Sequence, residues 1–284
     1  MDVSSVLVPA DRLKQHLGSP GLVVLDASVG ARRGADRVPG ARRFDIDGAM
    51  SDPGSPVPHT MPSPDRFTEE MRALGVNTSD TVVVYDAAGV YSSARAWWML
   101  RAMGFDRVAV LDGGLPAWIA AGLPTERGEP EPPEPGDFTA HPRPGFFVDA
   151  DEVAVALGDP GRAVLDARSA GRFAGTEPEP RPGLRGGHMP GSVNLPFTAL
   201  QDGDGRMLPA PALRDLFADA TGGRERLVLS CGSGVTACVL ALGAELAGYR
   251  DLTVYDGSWS EWGLPSGRRP VETDGTGGTG GTGS

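Results

Sequence analysis

Two segments of the chain read as variants of one another: "LDGGLPAW" at 111–118 and "YDGSWSEW" at 255–262, with Asp112 matching Asp256 and Trp118 matching Trp262 at a spacing of 144 residues. Earlier segments pair in the same order, "VVLDAS" (23–28) with "AVLDAR" (163–168) and "VPGARRFD" (38–45) with "MPGSVNLP" (189–196). A repeat this long is too large for a solenoid and has the size of a duplicated domain. Whatever fold one half adopts, the other must adopt too, so the 284-residue chain is expected to form two related domains, at 1–127 and 146–272. Between them, "GEPEPPEPGDFTAHPRPG" (128–145) is rich in proline, which lacks an amide donor and favours extended backbone, so it reads as a semi-rigid linker. The glycine- and threonine-rich tail at 273–284 has no apolar side chain to bury and is expected to be disordered.

Within each half, continuous apolar runs alternate with segments of helical period. "TVVVYD" (81–86), "VAVLD" (108–112), "AVLDA" (163–167), "LVLSC" (227–231) and "LTVYD" (252–256) have the pattern of parallel strands covered on both faces. "SPDRFTEEMRALG" (63–75) opens on a serine cap and closes on a glycine, and "APALRDLFADATG" (210–222) occupies the same place in the second half. The expected fold class is α/β, twice: a parallel sheet flanked by helices in each half.

A formal net charge of −11 sets a repulsive field against phosphate polyanions, so nucleic acid is not an expected partner. No apolar run approaches the ~20 residues needed to span a bilayer, and the start lacks the basic and apolar regions of a signal peptide, so no membrane is expected and the location reads as cytoplasmic. The two cysteines cannot build a disulfide framework and are not spaced as a CxxC metal or redox pair. No metal or other cofactor is expected.

Cys231 ends the run "LVLSC", and "VTACVLALGAELAG" (235–248) continues as an expected amphipathic helix, which puts the thiol at a strand-to-helix junction. Gly232 and Gly234 permit backbone torsions that let consecutive amides turn inward around the sulfur, and with the helix N-terminus those donors favour its ionised form. The position also faces the crevice where open α/β sheets bind ligands. A buried structural cysteine is the alternative, and it is the favoured reading for Cys238 inside the helical run. In the first half the equivalent run ends in Asp86, so that half has no nucleophile there.

The loop "CGSGVTA" (231–237), with "GRFAGTEPEPRPG" (171–183), "GHMPGSVNLPF" (187–197), "DIDGAMSD" (45–52), "ARAWWMLRAMG" (94–104) and the two DG segments, resembles the tandem-domain sulfurtransferases of the rhodanese superfamily. The loop is most similar to that of 3-mercaptopyruvate sulfurtransferases. The resemblance runs over about residues 5–265. It implies a cysteine persulfide on Cys231, formed from 3-mercaptopyruvate with release of pyruvate and discharged to a thiol, thioredoxin or cyanide. It also implies that Arg172 and Arg181 bind the substrate carboxylate and carbonyl, that the loop positions Gly232, Gly234, Val235 and Thr236 hold substrate and sulfur, and that Asp47, His59 and Ser233 relay a proton.

Each of these residues has a plainer reading. Arg172 and Arg181 could pair with Glu177 and Glu179 at the surface; Ser233 and Thr236 could cap the following helix; His59 could be a solvated loop residue. His188 reads as packing, Arg185 as solvated, and the five tryptophans as filling core and interdomain surface. Thiosulfate is the rival substrate, but Gly232 and Ser233 are neutral where thiosulfate-preferring loops carry basic residues. A cysteine phosphatase needs an arginine six residues after the cysteine, where this chain has Ala237. A non-catalytic binding module would have no need of the thiol.

Overall fold

Each apolar run becomes a strand with parallel neighbours, and the segments between become the covering helices. The structure, a computed structural model, describes residues 5–30, 35–128 and 130–274. In the first half the order is β1 (Leu7–Val8), α1 (Ala10–His16), β2 (Leu22–Asp26), β3 (Arg42–Arg43), α2 (Pro64–Ala73), β4 (Thr81–Tyr85), α3 (Ser93–Ala102), β5 (Val108–Leu111) and α4 (Gly114–Ala120). The second half repeats it: β6 (Phe147–Val148), α5 (Ala150–Leu157), β7 (Arg162–Asp166), α6 (Ala170–Ala174), β8 (Val193–Asn194), α7 (Ala210–Thr221), β9 (Arg226–Ser230), α8 (Ala237–Ala247), β10 (Asp251–Tyr255) and α9 (Ser258–Trp262). The two five-stranded parallel sheets have the same topology, β1-β5-β4-β2-β3 and β6-β10-β9-β7-β8. No helix among the described residues is long and apolar enough to cross a membrane.

Helix ends follow the local chemistry. Ser63 accepts the Arg66 N–H at the start of α2, and Gly75 just past its end takes a left-handed φ of 65°. Gly222 closes α7 in the same conformation.

The halves meet through α3 and α8 across a local two-fold axis. Arg101 of α3 pairs with Glu245 of α8, and the two are 144 residues apart, so repeat-equivalent positions touch each other. One apolar core runs through this contact, joining Trp97, Met99 and Leu100 to Val239, Leu240 and Leu242. The symmetry extends to the crossing loops. Met61 N–H donates to Asp256 at 2.8 Å, and Met207 N–H donates to Asp112 at 3.0 Å. Trp118 and Trp262 each donate Nε1–H to a proline carbonyl, of Pro124 and Pro270, both at 2.8 Å.

Two expectations change. The helix after Cys231 is not amphipathic: it starts at Ala237, and every residue from Ala237 to Ala244 is buried, because one face lies on β9 and β10 and the others meet α3 and α7. A helix covered all round keeps no polar face. Arg185 is not solvated, since its guanidinium donates to the carbonyls of Trp262, Gly263, Leu264 and Arg269. Asp274 N–H donates to Ala174 O at 3.1 Å, and the rest of the tail expected to be disordered, 275–284, lies outside the described residues. The proline-rich segment runs along the first half, where Phe138 is buried and the amides of Gly136, Phe138, His141 and Arg143 donate to carbonyls of Arg72, Val76, Met103 and Ala102.

Because Leu240 sits in a core shared by both halves, Leu240→Ala is expected to cost about 2–5 kcal/mol, read as a lower midpoint in urea denaturation. An unchanged midpoint would contradict the enclosed position of α8.

Candidate active site

The loop between β9 and α8 builds the centre of the site. Cys231 is the first residue past β9 and only 1% exposed. Its N–H donates to Ser258 Oγ at 3.1 Å, and that oxygen lies 4.0 Å from Sγ. Gly234 takes a left-handed φ of 74°, as anticipated. Gly232 does not, and its lack of a side chain matters for a different reason: a Cβ there would stand 2.9 Å from Arg172 Nη2. The amides of Gly232, Ser233, Gly234, Val235 and Thr236 meet no acceptor among the described residues. None donates to Cys231 Sγ itself, so the expected direct amide bonds to the thiol are not made; an outer sulfur bonded to Sγ would lie about 2 Å further out. Thr236 makes no side-chain cap to α8 and lines the cavity.

The first half shows what such a loop is built to hold. Strand register aligns Tyr85 with Ser230, so Asp86 is the counterpart of Cys231. The Asp86 carboxylate accepts from Ala88, Tyr91 and Ser93 N–H at 2.8, 2.9 and 2.8 Å. Burial pushes this carboxyl above the ordinary range, and the three amides oppose that. The same turn therefore surrounds a carboxyl group with amide donors in one half and presents unpaired amides in the other.

A cavity of about 390 Å³ lies over Cys231, walled by Val29, Asp47, His59 and Tyr91 from the first half and by Arg172, Pro180, Arg181, Cys231, Gly232, Ser233, Val235 and Thr236 from the second. His59 reaches across the interface, with Nδ1 2.9 Å from Ser233 Oγ and Nε2 3.0 Å from Asp47 Oδ1. A carboxylate only accepts, so the neutral ring carries its proton on Nε2 and turns a bare Nδ1 to the serine hydroxyl. Burial lowers the His59 pKa, the Asp47 hydrogen bond opposes the shift, and the charges of Arg181 and Arg95 add to it.

Arg172 and Arg181 enter the same cavity. Arg172 also pairs with the buried Glu179, whose other oxygen takes Arg168, itself buried against Asp166 and stacked over Trp259. Glu177 binds Ser169 Oγ instead. Arg181 makes no ion pair among the described residues; its Nη1 lies 3.5 Å from Ser260 Oγ. The expected site residues other than Gly234 thus line one cavity; Gly234 lies behind it with its carbonyl at Arg95, and His188 stays outside, stacked on Phe173 with Nδ1 at the Phe173 carbonyl.

The rhodanese-like domain family matches residues 9–121 and 149–264, most of the chain. The chain is 42% identical to the 3-mercaptopyruvate sulfurtransferase of Rattus norvegicus, with 94% of each covered. It is 39% identical to that of Escherichia coli, over 90% of this chain and 94% of the relative. Its fold is similar to that of SseA from Escherichia coli, described as a 3-mercaptopyruvate sulfotransferase, at TM-score 0.79 and 36% identity over 91% of this chain and 100% of that one. The chain belongs to the tandem-domain sulfurtransferases of the rhodanese superfamily.

Four residues around this sulfurtransferase site escaped the sequence reading. Tyr91 walls the cavity, its ring edge-on to Phe197 at 5.5 Å, and burial, with the nearby Cys231 charge, raises its pKa and keeps the hydroxyl protonated. Its signal was the extra residue in the first-half loop. Ser258 adopts a left-handed φ of 48° where its repeat counterpart is Gly114, a mismatch visible in the paired DG segments. Arg95 and Asp256 form an ion pair at 2.7 Å between the halves; an arginine directly before the apolar run 96–100 was the available clue.

With its lowered pKa, His59 is expected to titrate below an ordinary histidine in ¹⁵N-detected NMR. Asp47→Asn, which removes the partner that favours the charged ring, should lower the midpoint further. A rise on that substitution would rule out the Asp47–His59 contact.

Proposed function

We propose that this sulfurtransferase takes the sulfane sulfur of 3-mercaptopyruvate onto Cys231 as a persulfide and passes it to a thiol, thioredoxin or cyanide, with release of pyruvate. The observation that carries this reading is the row of unpaired amides from Gly232 to Thr236 beside a cysteine, at the position where the first half places its own carboxylate among amide donors. A persulfide anion supplies the missing negative group. The curated relatives named above carry the same activity in their names.

The chemistry follows from the placement of charge. Arg181, without an ion pair among the described residues, and Arg172, held by Glu179, offer guanidinium donors to the substrate carboxylate and carbonyl. The Cys231 thiolate attacks the substrate sulfur; the S–S bond forms as the C–S bond breaks, and the bonding pair goes to the carbon of pyruvate enolate. That carbon takes up the proton released from the sulfur, and Ser233, His59 and Asp47 form a path for it, with Nδ1 of His59 as the accepting atom. In the second half-reaction an acceptor thiolate or cyanide attacks the outer sulfur and Cys231 leaves as thiolate.

Thiosulfate is the second reading, as a slower substrate on the same cysteine. Its two negative charges meet a loop whose positions 232 and 233 are neutral, and the added donors are only Arg172 and Arg181. A first half whose loop is filled by Asp86 acts as support, lending His59 and Asp47 to the reactive half. Both cysteines are free, and the reaction needs Cys231 reduced, which suits a reducing compartment such as the cytoplasm.

Intact mass spectrometry after exposure to 3-mercaptopyruvate should show a gain of one sulfur on the wild type and none on Cys231→Ser. A wild type that gains no sulfur would defeat this reading. Arg181→Ala is expected to lower kcat/KM for 3-mercaptopyruvate about 10- to 100-fold, mostly through KM, because a charge-assisted contact to the carboxylate is lost. Comparing kcat/KM for the two donors decides between 3-mercaptopyruvate and thiosulfate.

A further inference from the structure

Arg95 lies on α3 with its side chain fully buried, one helix turn into the seam between the halves. Its Nη2 donates to the His59 carbonyl at 2.6 Å and to Asp256 Oδ1 at 2.7 Å, and its Nη1 donates to the Gly234 carbonyl at 3.3 Å. The second oxygen of Asp256 takes the Met61 N–H at 2.8 Å. The ion pair therefore grips the backbone that leaves His59, from its carbonyl to the Met61 amide, and reaches the sulfur-binding loop as well.

His59 needs such a grip. Its φ of 64° lies in the left-handed region, which a side chain rarely adopts without support from its surroundings. The counterpart loop in the second half crosses back with Gly205 at that place, two residues before Met207 as His59 is two before Met61, and Gly205 has a φ of 72°. Glycine holds this turn without help; histidine is held there.

The repeat also shows that the helix seam does not require the charge. The position on α8 equivalent to Arg95 is Val239, fully buried in the same core. An apolar side chain fills that space, and a buried ion pair gives no stability advantage over one. The guanidinium is present only in the copy that faces Cys231.

We propose that Arg95, paired with Asp256, is a positioning residue that holds His59 in its left-handed turn and fixes the distance between His59 and Ser233 across the two halves. This deepens the sulfur-transfer reading and rests on it for its kinetic consequence. The groups that face His59 are Asp47, Ser233, Arg181 and Arg95; removing the positive charge of Arg95 leaves Asp47 less opposed and moves the His59 midpoint upward.

The test is a double-mutant cycle with 3-mercaptopyruvate, using wild type, Arg95→Met, His59→Ala and the double variant, alongside ¹⁵N titration of His59. Arg95→Met is expected to lower kcat about 10- to 100-fold with KM little changed, since a small displacement of a proton-transfer group acts on the chemical step. The double variant should be no slower than His59→Ala alone, because Arg95 works through that residue, and the His59 midpoint should rise in Arg95→Met. Losses that add in full, or an unmoved His59 midpoint, overturn the proposal. If Arg95→Met does not fold, Asp256→Asn, at a carboxylate that is 20% exposed, replaces it in the same cycle with the same expected non-additivity. A wild type that takes up no sulfur defeats the proposed reaction, while the His59 titration still decides the positioning role.

Discussion

A turn that leaves a buried parallel strand and enters a helix points several backbone amides at one spot, and buried amides without an acceptor are costly. This constraint organises both halves. In the first, Asp86 bends its carboxylate into the turn and takes three amides itself. In the second, Cys231 has no oxygen to offer, so the amides from Gly232 to Thr236 remain available for a negative group bonded to the sulfur. Exchange of one residue type at the end of a strand thus separates a self-filled turn from one that can hold a sulfur anion.

The duplication supplies the rest by symmetry and then departs from it. Because α3 and α8 pack about a local two-fold axis, each half sends a loop across to the other, and each loop is pinned by an aspartate that accepts a main-chain amide. The side chains on the two sides differ where chemistry differs: His59 against Gly205, Arg95 against Val239, Ser258 against Gly114. On the side facing Asp86 the choices are small or apolar. On the side facing Cys231 they are polar, with Arg95 bonded to the His59 carbonyl and Ser258 accepting the Cys231 amide, at positions where the backbone or the burial disfavours them.

Much of the scaffold was open to reading from local pattern. Continuous apolar runs became the parallel strands β4, β5, β7, β9 and β10, and the Ser63 and Gly75 signals bounded α2, because strand burial and helix capping depend on neighbours a few residues away. The exposure of α8 was misjudged for the opposite reason: its second covering surface, α3, lies more than 130 residues earlier in the chain. Arg185 likewise looked free, since its acceptors are carbonyls about 80 residues downstream. Gly232 was credited with a torsion it does not have, whereas its role is to leave space for Arg172.

The linear chain by itself determined the two-fold repeat, the α/β class and the place of Cys231 after a buried strand, because these depend on composition and short-range periodicity. It also contained the candidates Arg172, Arg181, Ser233, Asp47 and His59, though nothing in it set their distances. Only the tertiary structure decided that His59 from one half stands 2.9 Å from Ser233 of the other, and that Arg95 and Asp256 brace the crossing. Those contacts join residues 139 to 195 positions apart, and their geometry is fixed by how two sheets dock through α3 and α8, which no local pattern encodes.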